Sequence, residues 1–331
     1  MVALSLSLAI SILYLALLRF VDLNEREPLW AVALLFALGF AASGIGALAI
    51  PSVTVELTVL PGAAVQELVR FAAIAIGILA LEMAGRGRGW SEVSGPMDGI
   101  VYGGAAGLGF ATGDVFTGEL AAGGATFDVG VSFLTLAWTH ALAGIAHGVF
   151  GALAGLGLAA AARGSGALRR AALAAAGLAI AIAANAGHRW LSWAAPFDGA
   201  TSVARAWAGL LLPLALVAAV ALWALTAERR AIHSELSAEA GDDTVRAEDL
   251  ALLGAPFRRQ RLYLANALSG RFASGMLLRG LHNRQVQLAL ARRRAATARD
   301  ETTRVALARE VEMLRTAIRA RRAQLETSSR V

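Results

Sequence analysis

Pro96-Met-Asp-Gly-Ile-Val-Tyr-Gly-Gly-Ala-Ala-Gly-Leu-Gly-Phe-Ala-Thr-Gly-Asp114 is the stretch on which the fold turns. It is apolar, it approaches the length of a bilayer span, and an aspartate stands at each end, Asp98 and Asp114. Gly103, Gly107 and Gly109 sit among Gly104, Ala105, Ala106 and Ala111, so small residues recur at i and i+4. On a helix that spacing makes a narrow, smooth face, and in a membrane such faces let neighbouring helices approach closely. One reading is a packing helix. The sharper one is a helix that carries Asp114 into a site built with other helices, because an acid at the edge of hydrocarbon is costly without a partner.

The rest of the chain agrees with a membrane setting. Of its 331 residues 57% are hydrophobic, and the mean hydropathy is +0.61. A soluble domain of this size does not need so much apolar surface, so the class is a polytopic membrane protein. There is no cysteine, which removes disulfides, thiolate metal sites and cysteine nucleophiles. All 30 basic residues are arginine, and the net charge is +6. Residues 1–227 carry a slight negative excess, whereas residues 228–331 hold 20 of the arginines and are strongly basic. A basic tail beside a membrane answers the anionic cytoplasmic leaflet. No aromatic-interleaved basic motif occurs, and nucleic acid is not an expected partner.

The expected fold class is all-α: a polytopic transmembrane helical bundle of about seven spans (residues 1–227) followed by a soluble, helical, Arg-rich cytoplasmic tail (228–331). The spans are predicted at about 2–21, 28–50, 62–84, 97–117, 131–162, 168–193 and 203–227. The first lacks a basic n-region and a small-x-small cleavage site, so it reads as a retained helix rather than a signal peptide. Arginine in the first, third and fifth loops and in the tail predicts the N-terminus outside and the C-terminus inside. On that topology Glu67, Asp114 and His188 lie at similar depth, near the outer ends of three spans. In the tail, 231–256 is acidic and loosely patterned, and 284–327 reads as one Arg-rich helix. Its seam of Leu307, Val311, Leu314, Ile318 and Leu325 predicts packing on a neighbouring tail helix ahead of a dimeric coiled coil.

Few ionisable side chains fall inside the spans: Glu67, Arg70, Asp114, His140, His147 and His188, with Glu82 near an end. Each is a functional candidate, because lipid penalises buried charge. Glu67 and Arg70, at i and i+3, can also simply neutralise each other. His140 and His147 are two turns apart on one face, and the sequence leaves open which of them meets the site. Imidazoles and carboxylates from separate helices are suited to zinc, which in catalytic sites takes three protein ligands and a water. No His-Glu-x-x-His pair exists, so a soluble-type metalloprotease helix is absent.

Several segments resemble the PrsW family of bacterial intramembrane proteases, related to the CAAX prenyl endopeptidases; the similarity covers residues 18–195. The charged loop Asp22 to Pro28, ending in Glu27-Pro28, is similar to the family's Glu-Pro loop after the first helix. Asp98-Gly-Ile-Val-Tyr-Gly103 with Gly107-Leu-Gly-Phe110 resembles its most recognisable stretch, and Asp114 stands where the family has an acid, usually Glu. His147-Gly-Val-Phe-Gly-Ala-Leu-Ala-Gly155 resembles its histidine helix, and His188 its last histidine, with Ser192 where an Asn is frequent. The resemblance implies a multi-pass protein of the bacterial plasma membrane, in contact with lipid and acting on a membrane protein or peptide. It implies zinc held by Asp114, His147 and His188. The family's Glu-Glu-x-x-Lys is here Gln66-Glu67-Leu-Val-Arg70, so the expected general base is an amide that cannot take a proton. Either Glu67, about 100° round the helix, polarises the water beside Gln66 and Arg70, or the site binds without cutting. The expectations are therefore a zinc endopeptidase or a catalytically degenerate scaffold; a small-solute permease, with no internal repeat to support it, ranks third.

Overall fold

A computed structural model describes residues 2–21, 27–49, 59–86, 93, 95–121, 133–193, 199–240, 244–298 and 301–328. Of the charged loop in the family resemblance, 22–26 lies outside the described residues, as does the turn region 51–58. Among the described residues are eleven helices and no strand, the all-α class expected. They are α1 (Val2–Val21), α2 (Leu29–Ala49), α3 (Val59–Arg86), α4 (Pro96–Ala121), α5 (Phe133–Arg163), α6 (Ala167–Trp193), α7 (Gly199–Ser237), α8 (Ala247–Leu253), α9 (Pro256–Leu268), α10 (Phe272–Thr297) and α11 (Glu301–Ser328). The chain divides into two compact units, the first built from α1 to α6 with α7 as far as Leu222, the second from Trp223 onward.

Among the described residues six helices, α1, α2, α3, α5, α6 and α7, are long and apolar enough to cross a membrane. The fourth of the seven expected spans, α4, is as long (26 residues) but is not among them. Its glycines lower its hydropathy, and they are also why it is central. Every residue from Met97 to Gly113 is buried. A Cβ at Gly103 would collide with the Gly151 carbonyl, and one at Gly107 with the His147 carbonyl, so α4 and α5 run backbone against backbone. On the α2 side, Gly39 and Gly109 leave the same room for the carbonyls of Ala106 and Phe36. Close approach of this kind lets dispersion replace the hydrophobic driving force that lipid does not supply.

The start of α4 is fixed by Asp98, whose Oδ2 accepts the Gly95 N–H at 2.9 Å, an acid at a helix N-terminus where the macrodipole favours it. Tyr102 donates its hydroxyl to the Glu27 carboxylate, and Arg19 Nη1 donates to the Glu27 carbonyl at 2.8 Å. The Glu27-Pro28 corner is thus tied to the middle of the glycine stretch. Large apolar side chains on the outside, such as Leu79, Leu168, Leu212 and Trp190, are exposed. That is the expected state of surfaces that face lipid.

The second unit is built differently. Ile232, Leu236, Val286, Leu288, Val311, Leu314 and Ile318 are buried in one cluster, with Leu325 partly buried against it. The α11 seam therefore packs on α7 and α10 of its own chain. Two sequence expectations change here. The stretch 284–327 is two helices, α10 ending at Thr297 and α11 starting at Glu301. A return of the chain over the same core explains the break: one straight helix could not bring both Leu288 and Ile318 into one buried cluster with Leu236. The acidic stretch after 230 is more regular than its pattern suggests, since α7 runs on to Ser237 and α8 forms at Ala247–Leu253.

Candidate functional site

Four helices of the first unit converge on one polar cluster. From α3 come Glu67 and Arg70, both with fully buried side chains (0% exposed), and one Arg70 Nη1–H is donated to Glu67 Oε1. The i, i+3 spacing alone brings these two together. From α5 comes His147, whose Nδ1 lies 2.6 Å from Arg70 Nη2. From α4 comes Asp114, whose Oδ2 lies 3.6 Å from His147 Nε2. From α6 come Asn185, which donates from Nδ2 to Glu67 Oε1 at 2.7 Å, and Arg189, which donates from Nε to Asn185 Oδ1 at 3.1 Å. Gln66 Oε1 stands at the edge, 3.5 Å from Asn185 Nδ2. The Arg70 guanidinium lies over the Phe110 ring, 4.4 Å from its centroid, a cation–π contact within the usual range.

The expected site residues Gln66, Glu67, Arg70, Asp114 and His147 are therefore neighbours in the bundle. His188 is close but does not join them. Its Nδ1–H is donated to the Ala206 carbonyl at 3.1 Å. The Phe150 ring stands beside both imidazoles, with centroids 6.4 Å from His147 and 5.8 Å from His188. His140, the other histidine of α5, lies in the field of Glu119 on α4 instead. Between the two histidines of that face, His147 is the one in the cluster.

The hydrogen-bond directions test whether this donor set suits zinc. A guanidinium only donates, so His147 Nδ1 must be the acceptor. A neutral imidazole that accepts at Nδ1 carries its proton on Nε2, and here that N–H points at Asp114. A ligating histidine needs the opposite: a lone pair at the metal and an N–H donated to a partner behind it. Charge points the same way. Glu67 and Asp114 are already met by two cations, Arg70 and Arg189, which both act on them electrostatically. A zinc ion would add two positive charges to a buried cluster that is already balanced, at a cost of several kcal/mol or more. Among the described residues no three His, Asp or Glu side chains are grouped so as to hold one ion. The arrangement does not fit zinc on Asp114, His147 and His188. Of the three, His188 alone has a ligand's tautomer, with its carbonyl partner behind and Nε2 left with a lone pair.

Asn185 and Arg189 escaped the sequence reading. Asn185 is an amide in a run of alanines three residues before His188, and a polar residue in such a span is itself a signal. Arg189 looked like the charged end of a span. Comparison with known proteins gives no match to any family model, curated protein or solved structure.

Proposed function

We propose that the chain is a PrsW-type protein of a bacterial plasma membrane that holds a membrane-embedded peptide at this cluster without hydrolysing it. One observation carries the reading: the only carboxylate on the glutamate pair, Glu67, is sealed behind Arg70. Both side chains are 0% exposed, whereas the side chains of His147 and Asp114 are 16% and 31% exposed. A ligand entering from the open side meets Asp114, His147 and Gln66 first. Gln66 cannot take a proton. The Nδ1 lone pair of His147, which a base would use, is already occupied by the Arg70 guanidinium. What remains at the open face is a set of hydrogen-bonding groups, an amide, an imidazole N–H and a carboxylate, suited to a peptide backbone or to a polar side chain crossing the membrane.

The second reading is an endopeptidase with Glu67 as base, and one observation favours it. Glu67 Oε2 is buried and has no hydrogen-bond partner among the described residues, while Oε1 takes both Arg70 and Asn185. A carboxylate anchored by one oxygen with the other free is how a base for water is held. A zinc-dependent form of this reading requires Arg70 to release His147 Nδ1.

Reconstituted protein and a panel of labelled single-span peptides separate the two. The binding reading expects association that weakens about tenfold in Asp114→Ala, the loss of one charge-assisted contact. It expects no cleavage by wild type and cleavage of the same panel by Gln66→Glu. Cleavage by wild type that disappears in Glu67→Ala would replace it with the endopeptidase.

A further inference from the structure

The second unit contains a cavity that the cluster above does not use. It measures about 360 Å³ and is lined by Ala227, Arg230, Ala231, Ser234 and Glu235 of α7 and by Arg293 of α10. We propose that it is a binding site for the phosphate-bearing headgroup of an anionic membrane lipid.

Position is the first argument. The apolar run of α7 ends at Ala227, and Glu228-Arg229-Arg230 follows at once. Before that point the helix presents Leu212, Leu216, Leu222 and Trp223 to the outside, and all four are exposed. An exposed tryptophan at the end of an apolar helix marks the level of the headgroups. From Trp223 to Ala227 α7 rises about 6 Å, and to Arg230 about 10 Å. The headgroup layer is roughly 5–7 Å thick on each side. Ala227, at one end of the lining, therefore falls at the depth of lipid phosphates, and Arg230, about one turn beyond it, has a side chain long enough to reach back.

Charge is the second. The acid in the lining is already engaged: Glu235 Oε2 lies 3.5 Å from Arg292 Nε, outside the cavity. Ser234 donates its hydroxyl to the Ala231 carbonyl at 3.1 Å and brings no charge. Arg230 has no ion-pair partner among the described residues. Arg293 leans back over the end of the span, with Nη1 3.5 Å from the Ala227 carbonyl. Two planar guanidinium forks from different helices thus share a cavity large enough for a headgroup, and such forks match phosphate oxygens in pairs. Basic pockets beside membrane helices recruit anionic lipids by this chemistry. The inference needs the helices to be in a membrane but is independent of whether Glu67 cuts anything.

The experiment is native mass spectrometry of the full chain from neutral detergent, with phosphatidylglycerol or phosphatidylcholine added. Wild type is expected to retain phosphatidylglycerol selectively. Arg230→Gln with Arg293→Gln should lower that retention by roughly thirtyfold, the loss expected for two arginine–headgroup contacts. Arg304→Gln, a remote exposed arginine, should leave it unchanged. Ser234→Trp fills the cavity with both charges intact and should also abolish retention, which covers the case of a misfolded double variant. Equal retention of the two lipids, or retention unaffected by both the double variant and Ser234→Trp, overturns the proposal. Displacement of phosphatidylglycerol by millimolar inorganic phosphate alone overturns the lipid as its source.

Discussion

The two units of this chain solve the same problem, burying polar backbone and charge, with opposite materials. In the first, helices meet through absent side chains: Gly103, Gly107, Gly151 and Gly155 let α4 and α5 touch along their backbones. In the second, helices meet through large ones, a Leu/Ile/Val core ringed by arginine–carboxylate pairs. Arg292 and Arg315 both grip Glu239, and Arg322 grips Asp249. The difference follows the solvent. Water drives leucines together, and a Leu/Ile/Val core of the tail's kind is what that force builds. Lipid is as apolar as leucine and leaves only close packing and hydrogen bonds to discriminate one helix contact from another. The same division governs charge. The membrane cluster balances Glu67 and Asp114 with two arginines and no spare, whereas the tail carries an arginine excess that water can solvate.

The comparison breaks most sharply at Gly107. A methyl group there meets the His147 carbonyl and lies 2.9 Å from Gly148 Cα, both backbone, so nothing can rotate away. Gly107→Ala is expected to cost about 3 kcal/mol or more, the upper range for overpacking. It should also move His147 off Arg70, since that histidine's own carbonyl is the obstacle. Thermal unfolding in detergent checks the first effect. If Gly107→Ala melts within a degree or two of wild type, the helices are not packed as described.

Much of this was legible in the sequence, and for physical reasons. The small-residue periodicity of 96–114 marked a close-packing face, and every residue of α4 from Met97 to Gly113 is buried. Ionisable residues are so unfavourable in a span that Glu67, Arg70, Asp114 and His147 announced themselves one at a time. What the sequence could not carry was direction. Nothing in the spacing of Arg70 and His147 says that the guanidinium would donate to Nδ1, and that one bond turns a plausible zinc ligand into an N–H donor. Nor could it place His188 on the far side of Phe150, because the two histidines come from different helices and their rotation is set by glycine contacts. The break between α10 and α11 was hidden because Ala295, Ala296, Thr297 and Ala298 offer no Pro or Gly to mark it.

In the tail the same comparison is sharpened by pH. His282 is buried and its pKa is pushed down to about 4 by desolvation, with Asp249 opposing that and Arg259 and Arg322 adding to it. Its Nδ1 is bonded to the Tyr263 hydroxyl at 2.9 Å. An unfolded histidine titrates near 6.5. The folded tail therefore binds fewer protons than the unfolded one between these values, and stability present above pH 6.5 is lost as the pH falls toward 4. The size is about 3 kcal/mol by linkage. Asp249 adds a second loss at lower pH. Burial raises its pKa, but the Arg322 guanidinium, Gln285 and the Arg246 N–H outweigh that and hold it below the ordinary carboxylate value. Its contribution, present above its unfolded pKa, goes as the pH drops through the acid range. The protection factors of the α10 amides, intrinsic exchange rates divided by the observed rates at each pH, should fall between pH 6.5 and 4 in wild type and lose that slope in His282→Gln. An unchanged slope in the variant would remove His282 as the cause.

The smallest effect is the most diagnostic, because it repeats the first substitution eleven residues along the same helix. At Gly118 a Cβ would meet no atom of the described residues within 4 Å. There the glycine serves no contact, and only its conformational freedom in the unfolded chain matters. Gly118→Ala is expected to stabilise by roughly 0.5–1 kcal/mol, the propensity difference between glycine and alanine in a helix interior. Opposite signs for Gly107→Ala and Gly118→Ala, read in the same detergent by the same melt, separate packing from propensity within α4. Equal signs would mean that the glycines act through helix propensity alone, and the contrast between a backbone-packed membrane unit and a side-chain-packed tail would lose its basis.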